Sequence, residues 1–262
     1  MNNLIHENLN LKCETFTGYT IDNIAFLQLH RDFLLRTENL NERDQVLEYL
    51  ENVSSSSSIK LLIVAGAPDA KGKDEFFEFF KNFYDQRMDI ALIHRMFNFV
   101  DQLTLKLAEL EKFTIYINTG NVLTTYLNIG LACDYRILED TAIIQNPGIE
   151  MGLAAKGGGG YFLPRLIGTE QAWNVMLSDK DITAFEAIGI GLIHEIAPSE
   201  HLEQIAFCRA EKYAQKSSSA LSIIKQLMYF SIRDFTQYLE YEDKLLMNTV
   251  SSRKFWEKMK QA

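Results

Sequence analysis

Hydrophobic and polar positions alternate, or gather in short apolar blocks, through the first two thirds of the chain. Residues 19–31 alternate well enough for two strands joined by a turn at Asp22-Asn23. Residues 59–67 and 113–118 are continuous apolar runs rich in branched side chains, which is typical of strands buried on both faces of a parallel sheet. Further strands are predicted at 130–138 and 141–146.

Apolar residues at helical spacing predict the other elements. A helix is expected at 40–53 with Asn41 as its N-cap, followed by a solvated linker of five serines from Ser54 to Ser58. Residues 75–111 are predicted to form a long helical segment. Helices alone are predicted near the C-terminus, at 169–178, 183–190, 199–215, 218–230, 234–248 and 251–261. This order predicts an α/β protein with a parallel sheet and a helical C-terminal module.

Composition and charge exclude several classes of protein. The chain has 262 residues, enough for one large domain or two small ones, and a formal net charge of −9, which argues against a general nucleic-acid binder. No apolar run is long enough to span a membrane, and the first residues lack the pattern of a signal peptide. Cys13, Cys133 and Cys208 are expected to be reduced thiols. A cytoplasmic protein without a membrane or nucleic-acid partner is predicted.

Familiar catalytic motifs are missing from the sequence. It contains no nucleophile elbow, no zinc-protease motif and no calcium loop, and its five histidines lack metal-ligand spacing. We therefore expect no metal and no bound cofactor. The glycine-rich residues 152–162 lack the ending of a phosphate loop and the context of a dinucleotide fingerprint, so they favour a flexible turn that opens a helix.

Six phrases in order, covering nearly the whole chain, resemble the enoyl-CoA hydratase/isomerase (crotonase) superfamily. They are IAFLQLHR (24–31), IKLLIVAG (59–66) with KGKD (71–74), KFTIYINTG (112–120), ACDYRIL (132–138), NPGIEMGLAAKGGGGYFLPRLIG (146–168) and DITAFEAIGIGLIHEIAP (181–198). The resemblance implies a crotonase-like spiral core of ββα units over residues 1–197. It also implies a C-terminal helical trimerisation module over 198–262, giving a homotrimer or dimer of trimers.

The resemblance further implies a site for an acyl-CoA thioester, as substrate or ligand. Two backbone N–H groups would hold the thioester oxygen as it gains negative charge, and they match Lys73 and Thr125. The second lies in a triplet that is glycine-rich in the family and reads Thr124-Thr125-Tyr126 here. Because a β-branched residue at positive φ is an outlier, either the triplet keeps ordinary φ angles around a narrowed hole or the loop has moved.

Both glutamates of the hydratases are absent. The first matches Asn128 and the second matches Gly148. Adding water to a double bond needs one group that activates water and another that delivers a proton, so the standard hydratase mechanism is not expected. We predict a divergent member that acts on an acyl-CoA or acyl-carrier thioester through the oxyanion hole. The alternative is a catalytically inactive subunit that binds a thioester or a partner.

Other residues are candidates for the missing chemistry. Lys156 lies eight residues after Gly148, where some family members present a catalytic aspartate. A desolvated lysine acts as an acid or base, or binds a substrate carboxylate, although a solvent-facing lysine is an open alternative. Glu150 would point the same way as Gly148 if the strand end stayed extended. Asn128 can orient water. His94 is a candidate for the pocket wall, although a lone histidine is more often packed or surface-exposed.

The region predicted to bind CoA departs from the family pattern. Where the first strand is normally followed by a proline and a small residue, Arg31 is followed by a bulky apolar segment. Phe33, Leu34 and Arg36 are candidates for a stacking face and a phosphate contact. The candidate substrate-binding residues are Phe33, Leu34, Arg36, Tyr126 and Gly148.

Overall fold

The computed structural model describes residues 9–31, 33–34, 40–86 and 89–261. The strands in chain order are β1 (Leu11–Lys12), β2 (Phe16–Ile21), β3 (Ile24–Leu29), β4 (Leu61–Ala65), β5 (Phe113–Asn118), β6 (Asn121–Leu123), β7 (Tyr135–Glu139), β8 (Ile143–Gln145), β9 (Ile182–Thr183) and β10 (Glu195–Ala197). They form a main sheet in the order β1-β2-β3-β4-β5-β7-β10 and a small sheet in the order β6-β8-β9.

The helices in chain order are α1 (Leu40–Ser55), α2 (Lys73–Asp85), α3 (Ala91–Glu109), α4 (Thr124–Leu131), α5 (Gly148–Met151), α6 (Gly159–Met176), α7 (Ala184–Gly189), α8 (Leu202–Ala214), α9 (Ser218–Met228), α10 (Phe235–Val250) and α11 (Arg253–Met259). Two 3₁₀ turns, Ser199–His201 and Phe230–Asp234, precede α8 and α10. Among the described helices, none is both long enough and apolar enough to cross a membrane.

The main sheet is mixed. Its first three strands are antiparallel, and β3, β4, β5, β7 and β10 run parallel to one another. The β2–β3 hairpin turns at Asp22, whose φ of 51° lies in the left-handed region that aspartate tolerates. All five residues of β4 are buried, because helices cover both faces of the sheet.

Successive residues of the central strands face two different apolar layers, as the period-2 geometry of a strand requires. Leu62 and Val64 point into the layer that contains residues of α1, α3 and α4. Leu61 and Ile63 point to the opposite layer, which α8 covers with residues such as Ala206. The apolar runs of the sequence are therefore strands that are buried on both sides.

A third apolar cluster joins the C-terminal helices to α2 and α3. Phe80 of α2 and Phe97 of α3 belong to it, together with Leu246 of α10 and Phe255 of α11. The ring centroids of Phe80 and Phe255 are 5.4 Å apart, in an edge-to-face arrangement that aromatic pairs favour. The last two helices thus pack directly on the elements that form the candidate site.

The predicted α/β class and the strand pair around Asp22-Asn23 are confirmed. Asn41 is wrong as an N-cap, because α1 begins at Leu40 and Asn41 lies inside it. The serine linker begins later than predicted, since Ser54 and Ser55 end α1. The long helical segment is two helices, α2 and α3. The domain division at 197/198 stays a prediction.

Short strands escaped prediction for a physical reason. The strands β6, β9 and β10 have only two or three residues, too few to show a period of two. The first half of α6 was also missed because its glycines and Pro164 argue against a helix. Gly168, with φ 78° and ψ 159°, interrupts α6 near the predicted helix start at 169.

Packing of α4 against the sheet can be tested with Gly130→Ala. A methyl group at Gly130 would lie 2.5 Å from the ring of the buried Tyr116. We expect a loss of about 1–3 kcal/mol in the free energy of unfolding, despite the higher helix propensity of alanine. The matched control is Gly189→Ala, which meets no atom within 4 Å. Urea unfolding measures both, and equal stability of the two variants would contradict the packing.

Candidate functional site

A cavity of about 660 Å³, counting the space at its mouth, lies between α2, α3, the start of α4 and residues 146–156. Its wall is largely apolar, formed by Leu34, Phe76, Phe79, Phe80, Met96, Phe97, Val100, Leu123 and Leu153. A few polar side chains interrupt this wall, and they belong to Glu75, Thr124, Thr125, Tyr126, Asn146 and Lys156. Such a cavity suits an apolar group that carries a small polar end.

The threonine-rich triplet opens helix α4. Thr124 is the first residue of the helix, and the preceding Leu123 is extended, with φ −63° and ψ 143°. Among the described non-glycine residues only Asp22 has a positive φ, so the triplet adopts ordinary angles. Backbone N–H groups in a first helical turn have no intrahelical acceptor, and this end of a helix favours negative charge. Of the two alternatives, the structure has the triplet at ordinary φ angles.

The other predicted donor, Lys73, begins helix α2, and its N–H already has a partner. Its N–H donates to Gln145 Oε1 at 3.0 Å. Gln145 is buried, and its Nε2 donates to Asp181 Oδ2 at 2.9 Å. Thr125 lines the cavity, whereas Lys73 is absent from the described lining. The oxyanion hole therefore stays a prediction, in which a thioester oxygen would have to displace Gln145 from Lys73.

Asn128 binds the glycine-rich loop. Its side chain is buried, and its Nδ2 donates to the backbone oxygen of Lys156 at 3.1 Å. Gly157 and Gly159 pack against the same side chain, closely enough that added Cβ atoms would crowd it. Asn128 is not among the described residues of the cavity wall. It holds the loop in place, and its predicted catalytic role stays a prediction.

No side chain fits at the position of the second hydratase glutamate. Gly148 lines the cavity, but a Cβ there would lie 2.6 Å from the backbone oxygen of Leu153. Glu150 belongs to the short helix α5 and is exposed, so the extended strand end on which its predicted direction depended is not formed there, and its catalytic role stays a prediction. Residues two apart in a helix face different directions, whereas residues two apart in a strand face the same one.

Lys156 is buried in a cluster of carboxylates, and the alternative of a solvent-facing lysine is wrong. Its side chain is 3% exposed, and its Nζ lies 2.8 Å from Asp101 Oδ2, 3.3 Å from Glu242 Oε2 and 3.5 Å from Asp243 Oδ1. A substrate carboxylate would have to compete with these partners. Burial raises the pKa of Asp101 to about 7, against the opposing effect of Lys156.

The other predicted residues fall into different surroundings. Leu34 and Tyr126 line the cavity, and Tyr126 Oη accepts a hydrogen bond from the Leu34 N–H at 3.3 Å. Phe33 packs on Phe99 in the core, with ring centroids 5.4 Å apart. His94 is exposed at the surface, as one of its two alternatives predicted, and does not form the pocket wall: its side chain is 57% exposed and pairs with Asp243. Arg36 lies outside the described residues.

Sequence reasoning missed four important features: Glu75, Gln145, Asp101 and the phenylalanines of α2. The KDEFFEFF run of α2 carried a signal, because phenylalanines at that spacing form an apolar helix face, and Glu75 directly precedes them. Gln145 and Asp101 carried none, since the lysines that they contact, Lys73 and Lys156, are more than 50 residues away from them. Within the described residues, no group of histidine, cysteine, aspartate or glutamate is arranged to hold a metal ion.

The chain is similar to known proteins over most of its length. The family model described as enoyl-CoA hydratase/isomerase matches residues 21–261. The trans-2-decenoyl-acyl-carrier-protein isomerase of Streptococcus mutans is 23% identical over 231 residues, which is 86% of this chain and 85% of that protein. A probable enoyl-CoA hydratase of Mycobacterium tuberculosis is 28% identical over 213 residues, covering 79% and 73% of the two chains.

The fold is also found among solved structures. An enoyl-CoA hydratase from Bacillus halodurans superposes with a TM-score of 0.81 over 95% of this chain and 100% of the other, at 20% identity. The predicted crotonase fold is therefore confirmed. The chain belongs to the enoyl-CoA hydratase/isomerase family, which acts on acyl-CoA or acyl-carrier thioesters.

Removing the buried ammonium tests the structural role of Lys156 and of the three carboxylates that surround it. Lys156→Met leaves three carboxylates without their cation, so we expect it to cost about 3–5 kcal/mol in the free energy of unfolding. Lys180→Met is the control, because Lys180 is exposed and its loss is expected to stay within about 0.5 kcal/mol. Urea unfolding measures both variants. Equal stabilities would show that the cluster contributes little.

The lack of space for a side chain at Gly148 leads to a second prediction. Gly148→Glu restores the family's glutamate in sequence but drives its Cβ against the Leu153 carbonyl. We expect a destabilised protein without hydratase activity, measured by thermal unfolding and by hydration of crotonyl-CoA. Asn128→Glu is the companion variant at the other glutamate position. Hydration by Gly148→Glu at unchanged stability would contradict the described loop.

Proposed function

We propose that this protein binds an acyl-CoA or acyl-carrier thioester with its acyl chain in the phenylalanine-lined cavity. The proposed reaction is migration of a double bond by proton transfer through Glu75. The observation that carries the proposal is that Glu75 is the only carboxylate among the described residues lining the cavity. Hydration needs two acid–base groups, whereas double-bond migration needs one group that removes a proton and returns it elsewhere.

The position of Glu75 supports this role. It belongs to the first turn of α2, is buried, and its Oε2 accepts the Lys71 N–H at 3.1 Å. Phe76, Phe79 and Phe80 follow it along the same cavity wall. A carboxylate at the edge of an apolar cavity is placed to reach the carbons next to a thioester whose acyl chain fills that cavity.

The thioester oxygen is assigned to the start of α4. The Thr125 N–H belongs to a first helical turn beside the cavity, where a developing negative charge is stabilised. The Lys73 N–H would complete the oxyanion hole once Gln145 Oε1 leaves it. The relative from Streptococcus mutans is named as an isomerase of a decenoyl group on an acyl-carrier protein. That name favours a decenoyl-length thioester as the first substrate to test.

Self-association is part of the proposal. Ile223, Ile224, Leu227 and Met228 of α9 are more than half exposed, and so is Phe230 just beyond it. Apolar side chains gathered on one surface in this way mark an interaction site. We assign this surface to contacts between copies of the chain, in a homotrimer or a dimer of trimers.

The second candidate function is a subunit that binds a thioester without converting it. One observation favours it. The carboxylate of Glu75 accepts a backbone N–H at the start of its own helix, a contact typical of structural caps. The two functions share the cavity and differ in turnover. One variant of Glu75 separates them.

The experiment compares wild type with Glu75→Gln, which keeps an acceptor for the Lys71 N–H but cannot carry a proton. Binding is measured as the thermal shift with decanoyl-CoA, for which 100 times the Kd stabilises by about 2.7 kcal/mol. Turnover is measured as conversion of trans-2-decenoyl-CoA to its 3-enoyl isomer. We expect the variant to keep the shift and lose about 100-fold or more in rate.

Glu78→Gln is the matched control, since Glu78 is on the same helix but exposed. Binding in wild type without turnover would favour the inactive subunit. Equal turnover in wild type and Glu75→Gln would overturn the role of Glu75. The absence of a thermal shift with any acyl thioester, on CoA or on a carrier protein, would overturn both functions.

A further inference from the structure

The buried charges around Lys156 take no part in the proposed chemistry. We call Lys156, Asp101, Glu242 and Asp243 the Lys156 cluster. The lysine belongs to the cavity wall, Asp101 to α3 and the other two carboxylates to α10. His94 lies at the outer edge, with its Nε2 3.1 Å from Asp243 Oδ2. These are the charged groups that face Asp101 from the elements packed against it.

The charges of the Lys156 cluster do not balance. One ammonium faces three carboxylates. If all three carboxylates are ionised, the cluster carries a net charge of −2 in a buried site. Buried charge without compensation is costly, which favours keeping a proton on one carboxyl group. Asp101 is the member whose pKa burial raises, to about 7. The Oδ1 atoms of Asp101 and Asp243 are both buried without a hydrogen-bond partner among the described residues, which further disfavours full ionisation of the cluster.

Glu242 ties helix α10 to the cavity wall. Its carboxylate accepts the N–H groups of Gly157 and Gly158, each at 3.1 Å. Both glycines have positive φ, 105° and 82°, and they directly follow residues 154–156 of the wall. On the other side of this loop, Asn128 binds the Lys156 carbonyl. The wall is therefore held between α4 and α10, and Glu242 is the residue of α10 that accepts the two glycine N–H groups.

We propose that the Lys156 cluster is a proton-dependent clamp on the cavity wall, with Asp101 as the group that gains or loses the proton. With Asp101 neutral, Lys156 is shared by Glu242 and Asp243, and the clamp is closed. Ionised Asp101 competes for the ammonium and repels both carboxylates of α10. The contacts of Glu242 with the glycine N–H groups then loosen, and so does the wall. The consequence for substrate rests on the proposed function.

The direction of the pH effect follows from linkage. The pKa of Asp101 in the folded protein, about 7, lies above its ordinary value of 3.8, so folding takes up a proton between these values. Stability therefore falls as pH rises from about 4 to about 7 and levels off above. The clamp is closed below about pH 6 and opens as Asp101 ionises. Opening becomes easier by at most about tenfold per pH unit up to about pH 7, and levels off above it.

Hydrogen exchange at Gly157 and Gly158 tests the clamp without any ligand. Protection factors are measured at pH 6 and pH 8, corrected for the intrinsic exchange rate. In wild type we expect protection at both amides to fall by about tenfold at pH 8. In Asp101→Asn, which is neutral at every pH, we expect the same protection at both values.

Two further variants keep the test sharp. Histidines change charge near neutrality, so His94→Gln is the control, and it is expected to respond to pH as wild type does. Asp243→Asn removes one negative neighbour of Asp101 without touching the glycine amides, and is expected to move the midpoint of the response to lower pH. If Asp101→Asn does not fold, this shift carries the test. Unchanged protection in wild type, or a wild-type response in Asp101→Asn, would overturn the clamp.

A ligand measurement adds the functional consequence. The affinity for decanoyl-CoA is expected to be weaker at pH 8 than at pH 6 in wild type, and to be independent of pH in Asp101→Asn. An equal loss of affinity in both proteins would overturn the link between clamp and cavity. No decanoyl-CoA binding at either pH, with pH-dependent exchange intact, would overturn the proposed function and leave the clamp standing.

Discussion

The pairing of Lys156 with three carboxylates is the contact on which the candidate site depends most. It joins the cavity wall to α3 and α10, which are distant in sequence. Glu242 extends the same contact to the glycine N–H groups behind the wall. Because the ion pairs are buried, each charge depends on the others, and losing one member affects all elements that meet there. The shape of the cavity is thus coupled to residues that never line it.

The site keeps the family fold, and the chemistry that we propose for it differs from that of the hydratases. Thr125 still opens a helix beside the cavity, at ordinary φ angles, although the glycines of the triplet are gone. Position 148 is closed by the Leu153 carbonyl, so the chain has lost the space for a glutamate as well as the glutamate itself. The cavity carboxylate comes instead from α2, at Glu75. This combination is what favours proton transfer by one group over hydration by two.

Much of the frame was predictable from local pattern. The strand at 113–118 was predicted with its observed bounds, because a run of branched and aromatic residues between polar ends suits a doubly buried strand. The sequence also showed that neither hydratase glutamate position holds a glutamate. The environments of Lys156, Glu150 and His94 were not visible in it, because each depends on what distant segments bring near. The roles of Gln145 and Asp101 were invisible for the same reason.

The sequence by itself determined the class of fold, the family and the absence of the two hydratase glutamates, because these depend on residue type, order and spacing. Only the tertiary structure decided what surrounds each candidate. It buried Lys156 among carboxylates, occupied the Lys73 N–H with Gln145 and brought Glu75 to the cavity. The physical reason is that the pattern of hydrophobic and polar positions shows which side of a helix or strand is buried. Which charge or donor lies opposite is set by packing between segments far apart in the chain.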